Sequence, residues 1–206
     1  DDTMKRILSL TLLALLCLAA LNAETARPFS VARSTGSQLK LAVSVPALSF
    51  SAGEDGGQSV REIRMEGALG TCEPGQPELP VFSTMVAIPP RGSFTLSYSY
   101  GGVEYSQLDE PKICREGWDG VAVPSGGLFP SSLATASEPA ILRDFRVVQI
   151  NVYPCQYDPV TRRLATFRDI EVTLDFTAEP GLNELPDYTG YSQAFRKIYE
   201  AQIANF

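Results

Sequence analysis

Gly75-Gln76-Pro77-Glu78-Leu79-Pro80 runs straight into Val81-Phe82-Ser83-Thr84-Met85-Val86-Ala87-Ile88 and stops at Pro89-Pro90. A glycine permits a turn, two prolines stiffen an extended lead-in, a mostly apolar strand follows, and a proline pair ends it. The flanking sequence repeats the β theme. Leu39 to Val45 alternates apolar and polar residues, Ser59 to Glu66 does so in part, and Phe94 to Tyr100 does so almost throughout. Gly101-Gly102 then predicts a tight turn into Val103-Glu104-Tyr105. Phe145 to Tyr153 reads as a long strand, Asp158 to Arg162 as a turn, and Leu164 to Phe176 as the strand that partners it. In that partner Ile170, Val172, Leu174 and Phe176 fall on one face, and Glu171, Thr173 and Asp175 on the other.

Helix signals are nearly absent before residue 189. Many strands punctuated by Gly and Pro, with no helical spacers, predict an all-β fold, an antiparallel β-sandwich. Residues 115–140 are crowded with Gly, Pro and Ser and predict a long loop. Pro180 to Pro186 reads as a linker. Beyond it, Phe195, Ile198, Tyr199, Gln202 and Ile203 recur at three-and-four spacing, with Lys197 and Glu200 turned outward. This predicts a C-terminal amphipathic helix that either docks back on the sandwich or belongs to a domain that follows.

The 206-residue chain carries a formal net charge of −7 and no histidine. Met4-Lys5-Arg6, the apolar run Ile7 to Leu21, and Asn22-Ala23 before Glu24 form a signal peptide over residues 1–23, with Asp1-Asp2-Thr3 as a short upstream extension. Its removal takes two charges of each sign and leaves the balance unchanged. An acidic exported chain lacks the cationic surplus that nucleic acid demands, and no second apolar span follows the signal peptide. Export permits a disulfide among Cys72, Cys114 and Cys155, with three pairings open. No metal or other cofactor is expected, since three scattered cysteines without a histidine make a poor ligand set. No catalytic residue is expected either, because a nucleophilic cysteine needs an adjacent base and no imidazole exists here.

Four features in order carry a resemblance: the exported start; Gly75-x-Pro77-x-Leu79-Pro80 leading into a strand that ends Ile88-Pro89; the late hairpin from Val152-Tyr153-Pro154-Cys155 through Arg163 to Ile170-Glu171-Val172; and the terminal Phe195-x-x-Ile198-Tyr199 segment. Over roughly residues 40–206 the chain resembles the N-terminal propeptide of gingipain-type cysteine endopeptidases, secreted bacterial proteases. The resemblance implies a β-sandwich over residues 24–180, and a linker and helix over 181–206 leading to a catalytic domain not present in this chain. It implies an intramolecular chaperone that blocks the catalytic cleft until proteolysis removes it, and hence a partner in the catalytic domain of its own precursor. The location implied is the cell exterior or cell surface.

A tethered domain can silence a protease by burying an interface of roughly 1,600 Å² at about millimolar effective concentration. A loop through the cleft would supply a substrate-like residue. Residues 110–132 are the candidate loop, with Lys112 or Arg115 entering a pocket for basic side chains and Trp118 as an aromatic anchor. The plainer reading of Lys112 and Arg115 is solvated charge, and of Trp118 a plug on the sandwich. Arg162-Arg163 is either a cleavage point or an ordinary hairpin turn. Tyr98, Tyr100 and Tyr105 read as sheet-face packing in a hairpin. The rival class is an extracellular β-sandwich for adhesion or carbohydrate binding, which composition and strand count fit equally well.

Overall fold

A computed structural model describes residues 28–117 and 127–206. The signal peptide expected over residues 1–23 and Trp118 lie outside them. The described strands are β1 (Phe29–Ser34), β2 (Gln38–Val43), β3 (Ser49–Asp55), β4 (Gln58–Arg64), β5 (Leu69–Gly70), β6 (Pro80–Ile88), β7 (Ser93–Ser99), β8 (Gly102–Gln107), β9 (Ala134–Ala136), β10 (Ala140–Leu142), β11 (Phe145–Val152), β12 (Cys155–Asp158), β13 (Arg163–Arg168) and β14 (Ile170–Thr177). A 3-10 turn (Gln193–Phe195) and a short helix α1 (Arg196–Gln202) follow. All paired strands are antiparallel.

Two sheets face each other across the core. One has the order β1-β2-β14-β7, the other β10-β11-β6-β5 with β9 also on β11. Period-two alternation decides which residues meet. Leu39, Leu41 and Val43 of β2 lie opposite Leu174, Val172 and Ile170 of β14. Phe82 and Val86 of β6 lie opposite Val152 and Val148 of β11. All ten belong to one buried cluster, each side chain contributing roughly 1.5–3 kcal/mol of apolar transfer free energy. Thr173, on the face expected to be wet, is also buried, while its neighbours Glu171 and Asp175 hold Lys40 and Gln38 of β2 at 2.8 and 2.7 Å.

The turn expected at Gly101-Gly102 does not form a hairpin. β7 pairs with β14 and β8 with β13, in one unbroken register: Ser93 faces Thr177, Ser99 faces Glu171, Gly102 faces Arg168 and Gln107 faces Arg163. Two long strands therefore run side by side and bend together at Gly101 and Asp169. Asp169 is in the left-handed region (φ 53°), and a Cβ on Gly101 would lie 2.9 Å from its carboxylate. The bend carries both strands from the four-stranded sheet into a third sheet, β12-β13-β8. Tyr98, Tyr100 and Tyr105 consequently stand on an outer surface, 41–59% exposed. Tyr100 meets Phe167 edge to face and Arg163 covers the Tyr105 ring.

The late hairpin also differs from expectation. Its turn joins β13 to the short β12, because Pro154 separates β12 from β11, and β11 pairs with β6, β9 and β10 instead. The long loop expected over 115–140 is interrupted by β9, and Phe129, Pro130 and Leu133 within it are buried.

The C-terminal segment docks back. Tyr199 and Ile203 bury against Val147 on the outer face of the β6–β11 sheet, and Phe145, Tyr191, Tyr199 and Phe206 form an aromatic cluster. The buried face is narrower than the spacing suggested, since Ile198 and Gln202 are exposed. Ala204 N–H donates to Met85 O at 2.9 Å, and the Asn205 side chain both accepts from and donates to the Ala87 backbone. Asp144 accepts from Tyr199 Oη and Ser192 N–H, at 2.7 and 2.8 Å. Upstream, buried Arg146 donates to the carbonyls of Leu182, Pro89 and Gly92. Glu184 accepts from Gly92 and Gly181 N–H. These contacts fix the linker to the sandwich.

Candidate functional site

The Gly75–Pro80 motif is half of a polar stitch at one end of the sandwich. Gly75 takes φ 79°, which favours glycine. Pro77, Leu79 and Pro80 are buried. The other half is the segment 110–114. Its backbone runs between the motif and the β3–β4 hairpin and bonds to both. On one side Arg61 N–H donates to Glu110 O and Lys112 N–H to Arg61 O. On the other, Cys114 N–H donates to Gln76 O, Gly75 N–H to Cys114 O and Glu78 N–H to Lys112 O, all at 2.8–2.9 Å. Cys72 and Cys114 form a disulfide, which selects one of the three pairings. Cys155 is the free cysteine, fully buried, and burial pushes its thiol up to about 12. A thiol held neutral in this way is not a nucleophile.

From this stem the chain leaves at Arg115 and returns at Phe129. The return is pinned by reciprocal backbone bonds between Phe129 and Tyr157, and by Gln156 Nε2 donating to Pro130 O at 2.7 Å. The candidate loop thus starts and ends on fixed points.

The structure separates the two basic candidates. Lys112 lies within the stem, 3.0 Å from Glu78 Oε2 and 4.0 Å from Glu62 Oε1, and the Glu78 carboxylate holds its ammonium above the ordinary range. Arg115 lies beyond Cys114 at the root of the loop, half-exposed, its Nε donating to Asp55 Oδ2 at the hairpin tip. It is the last basic residue before Arg143. Far along the chain, Arg162 ends the β12–β13 turn and Arg163 opens β13; Arg162 takes φ 54° and its carbonyl accepts from Leu108 N–H.

Sequence reading did not find Arg146 or Glu184, and it did not find the partners of Asp55, which it read as a solvated carboxylate in a glycine turn, or of Asn205. Each matters through a partner more than 50 residues away. Among the described residues no group of three or more His, Cys, Asp or Glu side chains is placed to hold a metal ion, and no helix is long and apolar enough to cross a membrane.

The fold is similar to those in two solved gingipain structures. The prodomain in the solved complex of Porphyromonas gingivalis RgpB pro- and mature domains superposes with a TM-score of 0.71 at 24% identity, over 86% of this chain and 97% of that one. A structure addressing the zymogenic latency of gingipain K from the same organism gives 0.60 at 18% identity, over 72% of this chain and 92% of that one. In sequence, gingipain R2 of P. gingivalis is 37% identical over 76 residues, 34% of this chain, and Lys-gingipain HG66 is 25% identical over 165 residues, 71% of it. The chain spans about a tenth of the length of these curated relatives. Residues 124–206 match the Propeptide_C25 family model, so that part of the chain is similar to gingipain-type propeptides.

Proposed function

We propose that this chain, exported through residues 1–23, is the inhibitory propeptide of a gingipain-like cysteine endopeptidase precursor, assisting its folding and covering its cleft until cleavage. The observation that carries the reading is the agreement of fold with the RgpB prodomain over nearly its whole length. The stem geometry supports the mode of action. Fixing the two described roots of the loop lowers the ordering cost of presenting a substrate-like segment between them. Arg115, half-exposed in its pair with Asp55 and placed beyond Cys114 at the root of the loop, is the residue we assign to a pocket for basic side chains, ahead of Lys112 inside the stem. Arg162 and Arg163, exposed where the β12–β13 turn enters β13, are the assigned cleavage point.

The test is inhibition in trans. Purified chain titrated onto mature gingipain R2 should reduce peptide hydrolysis saturably, and Arg115→Ala should weaken inhibition at least tenfold with an unchanged fold. Full protease activity at saturating chain overturns the reading.

A further inference from the structure

We infer that the Cys72–Cys114 disulfide is a redox-sensitive latch on the candidate inhibitory loop, so that thiol reduction releases the loop's stem while the sandwich stays folded. The inference rests on the proposed inhibitory role for its consequence, though not for its mechanism.

Three observations carry it. The bond joins the last stem residue before the loop to the turn against which that stem is laid. The stem lies outside the main core, and only Cys114 in 110–117 is buried. Cooperative burial therefore holds this region less than it holds β2, β11 or β14. The two sulfurs are also unequally placed, Cys72 on an exposed residue and Cys114 on one 1% exposed.

A small thiolate attacks Cys72 Sγ; the disulfide breaks and its electron pair leaves on Cys114 Sγ, which takes a proton. A second thiol resolves the mixed disulfide, giving the Cys72 thiol and one oxidised thiol pair. Two electrons pass from the small thiols to the protein. Cys155, buried under β13, takes no part in exchange.

The experiment is hydrogen–deuterium exchange on the full chain, oxidised, after excess dithiothreitol, and as Cys72→Ser, with inhibition of mature gingipain R2 measured for wild type and Cys72→Ser. We expect the Gly75, Glu78, Lys112 and Cys114 amides to exchange at least tenfold faster once the bond is absent, while β2, β11 and β14 amides stay protected. Unchanged stem exchange overturns the latch, as does loss of protection throughout, which makes the bond a staple of the whole fold. With the latch intact by exchange, inhibition at least tenfold weaker in Cys72→Ser supports its consequence, and equal inhibition overturns it. Failure of the oxidised wild type to inhibit counts against the proposed function alone, because exchange judges the latch.

Discussion

The two ends of this sandwich are held by different physics. At the C-terminal dock, Tyr199, Ile203 and an aromatic cluster bury against the β6–β11 sheet, and carboxylates and amides complete the fit. At the loop stem, backbone bonds, one disulfide and exposed ion pairs hold a segment with little apolar burial. Apolar burial is non-directional and is lost cooperatively, whereas cross-links and charges can be removed singly by a change of solvent. The dock should therefore respond to truncation and acid, and the stem to reductant and charge substitution.

The largest expected effect lies between the two, in the core they share. Leu174→Ala should cost about 2–5 kcal/mol in denaturant unfolding, loosening dock and stem together. An equal loss confined to either end breaks the comparison. Next, Cys72→Ser with Cys114→Ser should cost about 2–4 kcal/mol, since the bond closes a 42-residue separation, and proteolysis should then open 110–128 first.

Ile203→Ala should detach the dock, seen as faster exchange over 196–206, with the core transition moved by no more than about 2 kcal/mol. Acid should act on the same segment. Asp144 is held below the ordinary carboxylate range chiefly by Ser192 N–H and then Tyr199, and Glu184 chiefly by Gly181 and Gly92 N–H. A lowered folded value gives stability that is present above the unfolded value and lost as pH falls through the folded one. Protection over 181–206, taken relative to the intrinsic exchange rate at each pH, should therefore fall below about pH 4, while the stem disulfide stays intact. The smallest effect is Lys112→Met, about 0–1 kcal/mol by thermal melting, because the Glu78 pair is partly exposed.

Much of the sandwich was legible because strand patterning is local. Alternation in 39–43 and 170–176 placed the inward residues correctly, since residues two apart share a face whatever the partner strand is. Which strands would pair was not legible there. Gly101-Gly102 carries the composition of a turn, yet its neighbours pair with β13 and β14, and the glycines serve a shared bend. Pairing is decided by closure of the whole sheet, which no window of sequence contains.

By itself the sequence determined the β class, the acidic character, the want of an imidazole and an ordered set of motifs that resembles gingipain-type propeptides. These are properties of composition and short spacing, and they do not depend on how distant segments meet. Tertiary structure alone decided that Cys72 pairs with Cys114, that Lys112 is committed to Glu78 while Arg115 stands at the loop's root, and that the terminal helix returns to its own sandwich. Each of those joins residues far apart in the chain, and such contacts form only where the completed core brings them together.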